Sequence, residues 1–386
     1  MKKVMMVAAP VHPVPPRKGA AVEWWIYQVC RRLSGFEPHV VCIGSDEYPD
    51  EEQRDGIHYH RIRMGRIYKR LFQKITRLDP WSYARRVARH IDVIRPEIVH
   101  VHNAPELFVQ IRRHCQWHGA FWILHMQNEM PSEVLGGDTL LLADSQYLKN
   151  FYAAQQPHAQ LDVITNGVDT ELYVPTWMRP NEIYRLKTEL GIPSDRKVVL
   201  YAGRVSPEKG PLDLVHAFHK LLALRDDVSL LLVGEIPRRN NPNDKRMRYG
   251  RLVTEACETM AGRCRCIGVV RPDRIQDYYG IGDLVVVPSR FEEPFGMVAI
   301  EAMAAGVPVL AARKGGLPEF VKPDETGFLI SNTEDPVSFA YEMHLLLNSP
   351  VRLDRVRYSA RRYVEQCHRW EIVARDLEAK YQTLLG

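Results

Sequence analysis

Twice along the chain, short uninterrupted apolar runs alternate with segments whose apolar residues recur every three or four positions. A run without polar alternation is buried on both faces, which suits a strand in a parallel sheet sheathed by helices. The first series places strands at Val4–Ala9, His39–Gly44, Glu97–His102, Trp122–His125, Leu140–Ala143 and Val163–Thr165. Between the first two, "AAVEWWIYQVCRRL" aligns Val22, Ile26, Val29 and Leu33 on one helical stripe. The pattern restarts at "KVVLYAGR" and runs through "VSLLLVGE", Arg265–Val270, "DLVVVPS", "VPVLAAR" and "TGFLIS". Helical segments such as Leu212–Leu224 and Ile275–Tyr279 separate these runs. Two such series predict an α/β fold of two doubly wound, Rossmann-like domains. The Pro- and Trp-containing stretch Tyr173–Pro193 marks the join, giving domains over 1–172 and 173–369. A last helix, Trp370–Leu385, carries a stripe at Val373, Leu377, Tyr381 and Leu384, and residues 370–386 are expected to pack back on the first domain.

Composition removes several other classes. With 45% hydrophobic and 26% charged residues the chain is globular, neither disordered nor fibrous. A net charge of +5 permits an anionic partner without requiring one. The seven cysteines are scattered, and Cys264 and Cys266 lack the second pair of a structural zinc site. No metal is therefore expected, and a reducing cytoplasmic location is. The opening apolar run breaks at Pro10, so it reads as a strand rather than an export signal. No window approaches the length of a membrane span.

In doubly wound sheets ligands bind beyond the carboxyl ends of the strands, so two such domains facing each other would form a cleft lined by post-strand loops. Three loops are informative. In "VVVPSRFEEPFGMVAIEAMAAGVPVL", Glu292 and Glu293 precede a helix expected to start near Phe295, and Glu301 follows within it. The first N–H groups of that helix lack internal partners, and Gly296 leaves its tip bare for an anion. Carboxylates repel phosphate but accept hydrogen bonds from sugar or ribose hydroxyls. "LYAGRVSPEKGPLDLV" supplies Arg204 and Lys209 after a strand, two cations suited to a diphosphate. "PVPPRKGAAVEWW" offers the small residues Gly19 and Ala20 at a helix entrance but lacks the three-glycine fingerprint of NAD sites.

These motifs, with "PSRFEEPFGMVAIEAMAAGVPVLAARKGGLPEFV", "AGRVSPEKG" and "ITNGVDTELY", resemble retaining glycosyltransferase family 4, whose fold is GT-B. The family's Glu-x7-Glu signature falls on Glu293 and Glu301. The resemblance implies that Glu293 contacts donor-sugar hydroxyls and Glu301 the ribose. Arg204 and Lys209 would neutralise the departing diphosphate, and backbone groups of Phe295, Gly296 and Met297 would hold sugar and phosphate. Gly19, with Ala20, would sit under the diphosphate, and His125, ending "FWILH", would lie near the reacting sugar carbon. No cofactor is implied beyond the nucleotide-sugar substrate. The chain contains no Asp-x-Asp, the metal-binding signature of the other large glycosyltransferase fold.

The acceptor is less constrained. Arg61–His90 contains ten Lys/Arg and one Asp, and Ile67, Leu71 and Ile75 fall at helical spacing among Arg66, Lys69, Arg70 and Lys74. A basic amphipathic helix suits an anionic membrane surface or a phosphorylated acceptor. A nucleic-acid partner is not expected, since no binding motif accompanies the charge. "PPRKGAAVEWWIYQVCRRLS" and "RIYKRLFQKITRLDPWSY" resemble the enterobacterial lipopolysaccharide outer-core glycosyltransferases, in particular the α-1,2-N-acetylglucosaminyltransferases. That resemblance implies transfer of N-acetylglucosamine from its UDP donor to a hexose of the lipopolysaccharide core, at the inner face of the inner membrane. UDP-glucose, UDP-galactose or ADP-heptose as donor, in core, capsule or O-antigen synthesis, stays open, as does a non-catalytic nucleotide- or lipopolysaccharide-binding scaffold.

Overall fold

The computed structural model describes residues 1–16, 19–65, 81–131, 138–156, 158–236 and 244–386. The chain divides into an N-terminal unit, Met1–Gly167 with Trp370–Gly386, and a C-terminal unit, Val168–Arg369. The division falls before the stretch in which the sequence placed the join. Val168 pairs with Arg369 in an isolated bridge, so both crossings lie side by side. The Pro-rich stretch instead belongs to the C-terminal unit, where Trp177 packs on Tyr358 and Leu186 joins the core.

The N-terminal sheet comprises β1 (Lys2–Val7), β2 (Phe36–Ile43), β3 (Glu51–Arg54), β4 (Ile57–Ile62), β5 (Ile98–His102), β6 (Phe121–Met126), β7 (Thr139–Ala143) and β8 (Gln160–Val163). Their order is β3-β4-β2-β1-β5-β6-β7-β8, parallel except for β3. Val4 and Met6 face one core, Met5 and Val7 the other, as a doubly covered strand requires. The helix Trp370–Leu385 contributes Trp370, Val373, Leu377 and Tyr381 to the same core as Val4, Met6 and Trp25.

The β3–β4 hairpin is absent from the sequence expectation. β3 is polar and forms the sheet edge, and β4 beside it alternates buried Ile57 and Tyr59 with His58 and His60, so neither carries the uninterrupted apolar run used to find the others. Asp55 and Gly56, both with positive φ (55° and 76°), form its two-residue turn. Asp-Gly between strands is a recognised hairpin signal, so "EEQRDGIHYHRI" did carry the information.

The C-terminal sheet contains β9 (Lys197–Ala202), β10 (Val228–Val233), β11 (Cys264–Gly268), β12 (Leu284–Val287), β13 (Val309–Ala312) and β14 (Phe328–Ile330). All pairs are parallel and the order is β11-β10-β9-β12-β13-β14. The chain winds outward from β9 in both directions, so the order reverses between β9 and β12. That is the switch point where the post-strand loops diverge and leave a crevice.

Candidate active site

The loops after β9 and β12 meet at this switch point. After β9 the chain passes Gly203 and Arg204 into a short 3-10 turn, Pro207–Lys209. After β12 it passes Pro288–Gly296 into the helix Met297–Ala304. The helix begins two residues later than expected, because Gly296 takes a φ of 111° that ends the loop before Met297. A side chain at Gly296 would also meet Leu317, 2.5 Å from an added Cβ. Backbone conformation and packing therefore both demand this glycine. Phe295 is buried with its ring stacked on Phe320.

Lys209 and Glu293 are brought into direct contact. The Lys209 ammonium donates to both carboxylate oxygens of Glu293, at 2.8 and 3.0 Å. It also lies 4.6 Å from the centre of the Phe291 ring. The Ser289 hydroxyl donates to Glu293 Oε1 at 2.5 Å. The Glu293 side chain is 6% exposed and that of Lys209 25%, so one partner is buried and the other reaches solvent. Such a pair keeps a cation and an acceptor poised together without leaving either uncompensated.

Other groups fix the two loops. Arg290 grips Asp213 with two hydrogen bonds of 2.5 Å, and its amide donates to the Glu208 carbonyl at 2.9 Å. Gly315 and Gly316, after β13, hold the acidic loop from the far side. The Gly316 amide donates to the Glu293 carbonyl at 2.7 Å, and the Gly315 amide to Glu292 Oε2 at 2.5 Å. Lys314 lies 3.3 Å from Glu292. Glu292 is thus occupied in holding its own loop. None of Ser289, Asp213, Arg290, Gly315 or Gly316 was singled out from the sequence. The signal for the last two was the Gly-Gly pair directly after a strand.

Arg204 is exposed, and its carbonyl accepts from the Tyr201 hydroxyl at 2.6 Å. The charges of both Glu293 and Arg204 bear on that hydroxyl, so the two residues share one neighbourhood. Burial opposes ionisation of Glu208, yet its own amide, the Ser206 hydroxyl and the charges of Arg204 and Arg246 hold its carboxyl below the usual range.

Glu301 stands apart in chemistry. Its carboxyl is enclosed, although the residue is not wholly covered, and Tyr279 donates to Oε2 at 2.7 Å. Burial pushes the group up to about 7, against hydrogen bonds from Tyr279 and Tyr173 that favour the anion. Below the ordinary glutamate range the proton is present in folded and unfolded chains alike. As pH rises to about 7 the folded chain keeps a proton that the unfolded chain has lost, so stability falls across that window. Glu301→Gln should therefore gain melting temperature relative to the parent between pH 5 and 8. Parallel melting profiles for the two proteins would show that this carboxyl is not desolvated.

The remaining expected residues lie in the N-terminal unit. An added Cβ on Gly19 would meet nothing within 4 Å, and Ala20 caps the helix Ala21–Cys30. His125 is the next-to-last residue of β6 and is 0% exposed. Trp25 covers it edge-on at 4.7 Å, with His102 at 5.3 Å and His100 at 5.4 Å. Burial pushes its imidazole down to about 3, so the ring is neutral. The ring lies beneath Trp25, because the residues of β5 and β6 on that face all point into the core. Arg66, Lys69, Arg70 and Lys74 lie outside the described residues.

Comparison with known proteins decides the family. Residues 22–172 match the family described as "Glycosyltransferase Family 4", and residues 183–363 "Glycosyl transferases group 1". The chain is 36% identical over 382 residues to a lipopolysaccharide 1,2-N-acetylglucosaminetransferase of Salmonella typhimurium, covering 98% of this chain and 97% of that one. The chain belongs to glycosyltransferase family 4. This glycosyltransferase is also 26% identical to the spore coat protein SA of Bacillus subtilis, over 98% of its length and 99% of the relative's. Among solved structures it is similar to sucrose-phosphate synthase from Thermosynechococcus elongatus (TM-score 0.79, 22% identity, covering 100% and 99%). It is similar too to Anabaena Alr3699/HepE in complex with UDP (TM-score 0.77, 20% identity, covering 99% and 100%). The GT-B fold class is shared. Among the described residues of this glycosyltransferase, no helix is long and apolar enough to cross a membrane.

Proposed function

We propose that this glycosyltransferase moves N-acetylglucosamine from UDP-N-acetylglucosamine to a hexose of a lipopolysaccharide core, with retention of configuration and without a catalytic metal. The observation that carries the reading is the Lys209–Glu293 pair at the switch point of a doubly wound sheet. The 36% identical relative is named for this donor sugar, and that likeness spans both chains.

The chemistry follows from charge. Breaking the bond between the sugar and the diphosphate leaves negative charge on the departing oxygens. Lys209 and Arg204 supply positive charge where it develops, and the start of the helix Met297–Ala304 adds backbone N–H groups of Phe295, Gly296 and Met297. Glu293 accepts hydrogen bonds from the donor-sugar hydroxyls, with Ser289 holding one of its oxygens. Glu301 accepts from the ribose when ionised. Gly19 and Ala20 leave the backbone bare at the start of the helix Ala21–Cys30. His125 is neutral and covered, and neither of its ring nitrogens has a hydrogen-bond partner among the described residues. Front-face attack, with the departing phosphate taking the acceptor proton, gives retention and asks for no additional base. Two fixed cations provide the compensation that a divalent ion supplies elsewhere. The basic stretch holding Arg66, Lys69, Arg70 and Lys74 would keep the enzyme at the inner face of the inner membrane, where its acceptor lies.

The test is release of UDP from a panel of UDP-sugars and ADP-heptose in the presence of truncated lipopolysaccharide core, with mass spectrometry of the product. UDP-N-acetylglucosamine should be consumed, adding one N-acetylhexosamine to the core, and withholding Mg2+ or Mn2+ should leave turnover unchanged. Consumption of a different sugar nucleotide alone would overturn the donor. Binding of UDP-sugar without any UDP release would favour a scaffold.

A further inference from the structure

Far in sequence from the residues above, the edge of the N-terminal sheet gathers four histidines and two glutamates on one face. Alternation along β2 puts Glu37 and His39 on the same side, and along β4 it does so for His58 and His60. His39 is the register partner of His58, and Glu51 on β3 that of His60. The helix Tyr83–Ile94 brings His90 to within 5.3 Å of the His60 ring.

Three contacts of hydrogen-bond length run in series through this cluster. Glu37 Oε1 lies 3.0 Å from His39 Nε2. His39 Nδ1 lies 3.0 Å from His60 Nε2. His60 Nδ1 lies 2.6 Å from Glu51 Oε2. Each contact needs one hydrogen, but two neutral imidazoles carry two N–H groups and ionised carboxylates carry none. If His60 donates to Glu51 and His39 to His60, then His39 Nε2 points a lone pair at the Glu37 carboxylate. Reversing both tautomers moves the same conflict to the Glu51 end. The chain is short of one positive charge.

We propose that this charge is a first-row divalent cation of the zinc class, bound by Glu37, His39 and His58 and oriented by the relay from His39 through His60 to Glu51. One ligand atom from each of the three residues lies within 4.8 Å of the others. Zn–N and Zn–O bonds of about 2.0–2.2 Å make the edge of a tetrahedral site about 3.3–3.5 Å. Glu37 Oε1 is 3.0 Å from His39 Nε2 and 3.6 Å from His58 Nε2, which brackets that edge. The remaining position opens to solvent, since His58 and Glu37 are 32% and 30% exposed. A proton is the alternative occupant. A proton shared between Glu37 and His39 would leave His58 Nε2, 3.6 Å from the same carboxylate oxygen, without a role, whereas an ion uses all three atoms. The relay is the arrangement that fixes the tautomer of a metal-bound imidazole. Bound there, the ion ties β4 to β2 through side chains as well as through the backbone ladder. This site is independent of the reading of the transfer reaction.

The test uses the full chain without a polyhistidine tag, stripped by chelator and titrated with Zn2+ by calorimetry, with melting followed in parallel. One equivalent should bind, and melting temperature should rise with free Zn2+. His58→Gln and Glu37→Gln, both partly exposed and thus expected to fold, should each weaken Zn2+ at least about 30-fold, and Glu51→Gln about 10-fold. His219→Ala, on an exposed position of the C-terminal unit, should bind as the parent does. Absence of saturable binding below about 100 µM, or binding that persists in both His58→Gln and Glu37→Gln, overturns the site and leaves the chain filled by a proton.

Discussion

Lys209→Met should lower turnover by about 100- to 1,000-fold, the loss seen when one preorganised stabiliser of developing charge is removed. The structure adds a second consequence. Lys209 is the cation facing a carboxylate that is 6% exposed, so its removal leaves Glu293 desolvated with Ser289 as its remaining side-chain donor. An orphaned buried charge of this kind costs about 3–5 kcal/mol, which would also appear as a fall in melting temperature. A fall in both quantities would not by itself separate catalysis from folding. Combining the change with Glu293→Gln does. The neutral amide keeps the shape of glutamate and its bond to Ser289 but no longer demands a counter-charge, so the double variant should recover most of the lost stability. It should recover none of the activity, since neither the cation for the diphosphate nor the acceptor for the sugar hydroxyls remains. Denaturant unfolding and UDP release on the four proteins of this cycle give the answer. Recovery of turnover along with stability would mean that the pair is structural.

Much of this site was legible because it follows from strand ends. Continuous apolar runs located β9, β12 and β13, and the residues just past them had to lie on one edge of the sheet. The charges there, Arg204, Lys209 and Glu293, could therefore be named before any coordinates. What the sequence left hidden was the pairing. Lys209 and Glu293 are 84 positions apart, and only the strand order, with β9 beside β12, makes them neighbours. Ser289, Arg290 and Asp213 were hidden for the same reason, since their roles exist only once two loops touch. His125 shows what strand position leaves open. Its place at a strand end is as expected, but the last residues of a strand alternate between the two cores, and its face is covered by Trp25. The β3–β4 edge was missed because a polar hairpin is recognised by its turn, Asp55-Gly56, and not by apolar content. Of the four histidines gathered there, His39, His58 and His60 meet only through register, and His90 arrives on a helix.

Gly315→Ala should be among the most damaging single-carbon changes near the site, where an added Cβ at Gly210 meets the Pro288 carbonyl oxygen equally closely. Gly315 adopts a φ of 55°, in the left-handed region, where alanine costs about 1 kcal/mol. An added Cβ would stand 2.1 Å from the Glu293 carbonyl oxygen and 2.6 Å from its amide nitrogen, distances that no side-chain rotation relieves, because both atoms are backbone. One of the two segments must therefore move by roughly 1 Å to reach ordinary contact. Moving the turn strains the bonds from Gly315 to Glu292 and from Gly316 to Glu293. Moving the acidic loop carries the Glu293 carboxylate away from Lys209 and Ser289. Misplacement on that scale costs about 100-fold in rate, and the combined strain costs about 2–4 kcal/mol of stability. The contrast with Gly19→Ala makes the argument specific. There φ is not in the left-handed region and an added Cβ meets nothing, so folding should be unaffected and any effect confined to the KM for the sugar nucleotide. Steady-state kinetics and melting of the two variants side by side test both statements. Full activity of Gly315→Ala would show that the turn and the acidic loop are not packed together in solution.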